Sequence, residues 1–150
     1  MNEWNAEVRR RAWRYAVVLA LAGWWGALTF YGAVVVPEGT WQLGSQTQGL
    51  VTQQVTRTLN VLGVVVAAIS LSHVKRADSR WAWAAWIVFV ACQATLFGVH
   101  AWLSQLLESS ADRSWFYDVH RIYLLTTAVQ WGAGPVLLWK ILNCSHHAPS

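Results

Sequence analysis

Charge is scarce in this chain. Only 12% of its 150 residues are Asp, Glu, Lys or Arg, where soluble domains average about 25%. A chain so poor in charge cannot cover an ordinary water-facing surface. Cysteine is scarce too: Cys92 lies inside an apolar run and Cys144 near the C-terminal end. Two cysteines kept at different depths argue against a disulfide or zinc framework. Both are expected to be inert small side chains. Internal repeats and low-complexity segments are absent. No cleavable signal is expected either: the first apolar run is too long for a typical h-region and lacks a convincing small-residue cleavage site. That run is expected to remain as a membrane anchor.

Apolar and aromatic residues fill the space that charge leaves. The chain is 55% hydrophobic and carries 12 tryptophans. Tryptophan favours the membrane–water interface, where its ring is buried and its N–H stays wet. The combination points to an integral membrane protein of one domain. The net charge of +4 gathers at segment ends, so it acts as a topology signal rather than a nucleic-acid surface.

A helix needs about 20 mostly apolar residues to cross the bilayer core. Four stretches meet this, at about 16–36, 51–74, 81–105 and 118–140. The first, AVVLALAGWWGALTFYGAVVV, runs from Ala16 to Val36 and stops at Pro37. Ala and Leu dominate and period-two alternation is missing, which argues against strands. The expected fold class is therefore all-α: an antiparallel bundle of four transmembrane helices over 16–142. A basic lead-in helix precedes it at 1–15 and a tail follows at 143–150. Seven glycines inside the spans, Gly23, Gly26, Gly32, Gly63, Gly98, Gly132 and Gly134, are expected at close helix contacts. Pro135 is expected to bend the last helix.

Lysine and arginine in short loops orient the bundle. Arg9, Arg10, Arg11 and Arg14 precede the first span, Lys75, Arg76 and Arg80 separate the second from the third, and Lys140 closes the fourth. The opposite side has only Arg57, Arg113 and Arg121, accompanied by Glu38, Glu108, Asp112 and Asp118. Both termini are thus expected in the cytoplasm, in a bacterial inner membrane, with the lead-in helix on the anionic inner leaflet.

Depth then follows from helix rise. His100 stands 19 residues after Trp81, about 28 Å higher at 1.5 Å per residue, which puts it near the outer boundary. Residues three, four and seven apart share a helix face. On that basis each span has a polar stripe in its outer half: Tyr31 with Glu38, Gln53 with Arg57 and Asn60, Gln93 with His100 and Ser104, His120 with Thr127. Polar groups are costly against lipid, so the stripes should turn inward. The expectation is a polar pocket open to the outer face, lined by Tyr31, Glu38, Arg57, Asn60, Gln93, His100, His120 and Arg121. Plainer roles compete. Arg57 and Arg121 flank apolar runs and can snorkel. Asp118 suits a helix N-terminus. His73, beside Lys75 and Arg76, reads as solvated, and His146 with His147 is too little for a metal site.

Three chemistries fit such a pocket. His100 and His120 could be axial ligands of a haem or, with Glu38, could hold another metal. A cofactor-free pocket would move protons through histidine and stabilise an enolate or phenolate with arginine, on a quinone or polyketide ring. The third has no reaction: an accessory subunit packed on a larger membrane assembly. Trp81, Trp83 and Trp86 would then be an aromatic belt or a partner-facing surface. The reading carried forward is an accessory subunit or small-ligand binder. A small membrane oxidoreductase working at His100 and His120 is the alternative. The expected partners are the bilayer and other membrane subunits or further copies of the chain, with no nucleic acid.

Two stretches also carry a resemblance. WWGALTFYGAVVVPEGT resembles the first span of several small four-span bacterial families, and FYDVHRIYLLTTAVQW resembles their last span. Among these are the uncharacterised four-span proteins related to human transmembrane protein 205 and the anthrone oxygenase-like family. The first likeness implies no settled activity. The second implies cofactor-independent oxidation of a phenolic ring, with His120 and Arg121 matching the basic corner of the last span.

Overall fold

The computed structural model describes residues 2–76, 79–108 and 113–143. Asp112, Cys144, His146 and His147 lie outside them. The described chain is helical almost throughout: α1 (Asn2–Phe30), a π-helical turn (Tyr31–Val35), α2 (Val36–Val74), α3 (Arg80–Glu108) and α4 (Arg113–Asn143). The segment 1–15 is thus no separate element, because α1 runs through it into the first apolar stretch.

Pro37 does not stop the first helix, contrary to the sequence expectation. It sits in the first turn of α2, directly after the π-helical turn. There the Val36 N–H reaches back to the Tyr31 carbonyl. A proline ring crowds the carbonyl one turn behind it, and the wider π turn relieves that crowding. The rod from Trp4 to Ser45 therefore holds 42 residues. That is about 63 Å at 1.5 Å per residue, twice the roughly 30 Å of a bilayer core.

The chain reverses at Gly44. Its φ of 78° and ψ of 159° interrupt α2, in a region open essentially to glycine alone. A side chain there is strained whatever the space around it. Gly44→Ala is expected to cost about 1–2 kcal/mol, read as a lower thermal midpoint in detergent; an unchanged midpoint would contradict the assignment.

Contacts after the reversal run in antiparallel register. The Tyr31 hydroxyl donates to Thr52 Oγ1 at 3.0 Å, Trp24 Nε1 to the Leu59 carbonyl at 2.9 Å, and Trp13 Nε1 to Ser72 Oγ at 3.0 Å. The helix after Gly44 then packs on α3, where Trp86 Nε1 donates to the Ala67 carbonyl at 3.0 Å. α3 packs on α4, and α4 returns to α1. There Trp25 and Trp131 stack with centroids 5.3 Å apart. The result is a closed up-and-down bundle of four helical segments.

Its core changes in character along the axis. One end is mainly apolar, built on Val17, Leu21, Trp24, Val66, Val74, Phe89, Leu137 and Ile141, although Ser70 and His73 are buried there. Toward the other end the buried groups become polar: Asn60, Gln93, Gln130 and Gln48. The outer surface is greasy on every helix, with Leu19, Val65, Ile87, Leu125 and Val136 all exposed.

Among the described residues, three helices are long and apolar enough to cross a membrane: Trp4–Ser45, Thr47–Val74 and Arg80–Gln105. The sequence reading counted α4 as a fourth. Thr126, Thr127, Gln130, Gly132, Gly134 and Pro135 lower the hydropathy of its middle, which is why it falls short. Two further expectations change. Only Gly63 and Gly134 of the seven glycines face a neighbour; a side chain at Gly23, Gly26, Gly32, Gly98 or Gly132 would meet open space. His73 is not solvated but buried, at 8% exposure.

Candidate functional site

The polar end is organised in three layers. The deepest lies against the apolar core. Gln93 comes from α3 and Gln130 from α4, both almost fully buried. Gln130 Nε2 donates to Gln93 Oε1 at 2.6 Å. Gln93 Nε2 is buried without a partner among the described residues. The side chain fits only because residue 63 is glycine; a Cβ there would overlap Gln93 Oε1 and stand 3.2 Å from Trp24 Nε1.

The middle layer surrounds a small void of about 30 Å³. Asn60, Tyr123, Thr56 and Thr127 contribute its polar lining, and Trp24, Leu59 and Leu96 its apolar wall. Asn60 Nδ2 lies 3.5 Å from the Tyr123 hydroxyl, at the limit of a hydrogen bond. The volume suits a single water molecule, and the polar groups around it are enough to hold one.

The third layer is an open cleft of about 350 Å³ between α2 and α3, lined by Gln53, Gln54, Arg57, His100 and Ser104. Its floor is tied down. His100 Nε2 lies 3.1 Å from the Gln53 carbonyl oxygen, an atom that can only accept, so the proton is on Nε2. Gln53 Nε2 donates to Ser104 Oγ at 2.8 Å, and Ser104 Oγ donates to the His100 carbonyl at 3.0 Å. Gln54 and Arg57 are exposed at the mouth. Arg57 has no ion-pair partner among the described residues.

The residues expected in one pocket are therefore spread over several places. Arg57 and His100 share the cleft, while Asn60 lines the void and Gln93 lies beneath it. Tyr31 is buried at the π-helical turn on Thr52. Glu38 is exposed on the hairpin, where Gln42 Nε2 donates to it at 2.6 Å. His120 is half-buried on α4 and Arg121 exposed, and neither lines the cleft or the void. No group of three or more His, Cys, Asp or Glu side chains placed to hold a metal ion occurs among the described residues. The tryptophan trio also divides. Trp81 is exposed, whereas Trp83 and Trp86 pack against the core and meet each other edge-to-face, with ring centroids 5.9 Å apart.

Sequence reasoning missed Gln130, Tyr123, Gln54 and Gln48. The first two were accessible to it. Tyr123, Thr127 and Gln130 are spaced four and three apart, which makes one stripe on α4. Gln48 required knowing that the chain reverses at Gly44.

Neither a family model, a curated protein nor a solved structure matches this chain.

Proposed function

We propose that this chain is a small integral membrane protein whose four helical segments all cross a bacterial inner membrane, with both termini in the cytoplasm. In this reading it serves as a small-ligand-binding accessory subunit of a larger membrane complex. The ligand is a small molecule carrying an anionic or carbonyl oxygen, and it occupies the α2–α3 cleft. The observation that carries the reading is Arg57, a cation without an ionic partner among the described residues, standing over a hydrogen-bonded floor of Gln53, His100 and Ser104. Guanidinium is the side chain best suited to grip an oxyanion by paired hydrogen bonds.

The packing of α4 supports a fourth crossing despite its polarity. Gln130 is 1% exposed and spends its amide on Gln93. Thr127 returns its hydroxyl to the Tyr123 carbonyl at 2.9 Å. Exposed positions on the same helix include Leu124, Leu125, Val129 and Val136. Lipid would meet the aliphatic side and not the amides.

The test is native mass spectrometry of protein extracted in mild detergent with small molecules retained. A bound species of defined mass is expected on the native chain. Its occupancy should fall at least tenfold in Arg57→Gln, a change of about 1.4 kcal/mol in binding. A ligand-free native protein, or a ligand held equally by the variant, would overturn the assignment.

A further inference from the structure

The α2–α3 cleft continues past its polar lining. From Arg57, α2 runs toward the apolar end of the bundle. Val61 and Val64 stand four and seven residues further on, which puts them on the face of Arg57. Both are exposed. α3 runs the other way, and Phe97, three residues before His100, is exposed on the facing helix. The two helices meet above and below this level, at Gln53 with His100 and at Ala67 with Trp86. A strip of apolar side chains therefore follows the seam downward from the cleft.

The floor of the cleft is already engaged. His100 Nε2 is held on the Gln53 carbonyl, Gln53 Nε2 on Ser104 Oγ, and Ser104 Oγ on the His100 carbonyl. Arg57 and Gln54 remain, both exposed at the mouth and neither side chain with a partner among the described residues. A charged group is thus gripped beside the start of the apolar strip. The volume of about 350 Å³ is at the low end of small-molecule sites, which run to about 1,000 Å³. It takes a head group and leaves a chain outside.

Depth points the same way. Trp81 and Trp102 are both exposed on α3, 21 residues apart. That is about 31 Å at 1.5 Å per residue, close to the roughly 30 Å of a bilayer core. Exposed tryptophans at that spacing suit the two interfaces of a membrane. Trp102 is two residues past His100. With four segments crossing as proposed, the cleft lies at the outer head groups and the strip faces acyl chains. Charge around it has both signs: Glu38, Asp118 and Arg121 are exposed on this half of the bundle, and Glu108, Asp112 and Arg113 follow Ser104 in sequence. Diffuse attraction is therefore weak, and an anion is selected by Arg57 itself.

We propose that the occupant of this cleft is an anionic lipid of the outer leaflet, its head group on Arg57 and Gln54 and an acyl chain along Val61, Val64 and Phe97. This rests on the reading of the cleft as a binding site and adds the class of ligand and its route. The ligand enters sideways from the membrane and not from water.

The experiment uses the full chain in mild detergent. Oleoyl lysophosphatidylglycerol, oleoyl lysophosphatidylcholine and free glycerol phosphate are titrated separately, and binding is read by native mass spectrometry. The first is expected to bind at least tenfold more tightly than either of the others. Arg57→Gln should erase its advantage over the choline lipid. Arg121→Gln, which removes the same charge from an exposed position outside the cleft, should keep it. Val61→Ser/Val64→Ser should weaken lysophosphatidylglycerol at least threefold and leave glycerol phosphate unchanged. Circular dichroism of each variant checks the fold. Equal binding of the two lipids by the native chain overturns the proposal without recourse to any variant. So does an advantage that survives Arg57→Gln, that falls equally in Arg121→Gln, or that is untouched in the valine variant. Glycerol phosphate held as tightly as the lysolipid, and released by Arg57→Gln, overturns the lipid as occupant and leaves the cleft as a site for soluble anions. If none of the three probes depends on Arg57, the anion site falls with the lipid.

Discussion

Replacing Gly63 with leucine is expected to cost about 3 kcal/mol or more and to leave little folded protein in detergent. The reason lies in what converges on that position. Gln93 and Trp24, from two other helices, come within reach of where its Cβ would be. Gln93 has nowhere to retreat, being 3% exposed and bonded to Gln130. Moving it would break the amide pair and leave a second buried amide unsatisfied, at about 1–3 kcal/mol. Trp24 is equally confined, with its indole N–H on the Leu59 carbonyl and its ring 5.0 Å from Phe89. The control is the same change at Gly98, where an added Cβ meets nothing within 4 Å. Leucine has a higher helix propensity than glycine by somewhat under about 1 kcal/mol, so Gly98→Leu should be neutral or slightly stabilising. Thermal melts of the two variants side by side decide the matter. Equal effects would mean that the crossing at Gly63 is not close-packed.

That contrast also marks how far the sequence could be read. Helix content was legible, because long Ala- and Leu-rich runs lack the period-two alternation of strands. The split between apolar and polar halves was legible too, since Gln53, Asn60, Gln93 and His100 recur at helical spacing. What spacing cannot reveal is which stripe meets which. The eight residues expected in one pocket are separated by helix rotation and by the length of the hairpin. Glu38 shares a face with Tyr31 but stands a full seven residues beyond it, out on the exposed hairpin. His120 is expected at a depth like that of His100, yet the cleft opens between α2 and α3 and α4 does not line it. The glycines failed for a related reason. A missing side chain permits a close contact, and only the rotation of the helix decides whether one is made. Pro37 was misread because the proline rule assumes an α-helix before it, whereas here the preceding turn has π register.

Pro135 carries the last consequence. A proline at 135 has no N–H to offer the carbonyl one turn back, which is that of Trp131. In the proposed fourth crossing, water could not take its place. The structure supplies the missing donor from another helix: Trp25 Nε1 donates to the Trp131 carbonyl at 3.0 Å. Trp131 Nε1 in turn donates to Thr29 Oγ1 at 2.8 Å. Gly134 leaves room for the Trp25 ring, which would stand 3.0 Å from a Cβ there. The proline thus creates the acceptor that binds α1 to α4. Trp25→Phe, which keeps an aromatic ring and deletes the donor, should cost about 2–3 kcal/mol. In a Pro135→Ala background the backbone N–H returns, the Trp131 carbonyl is satisfied within its own helix, and the same Trp25→Phe change should cost about 1 kcal/mol less. The coupling is read from a double-mutant cycle of unfolding free energies in detergent. Additive costs would mean that the indole contributes by packing alone, and that Pro135 and the attachment of α4 to α1 are independent.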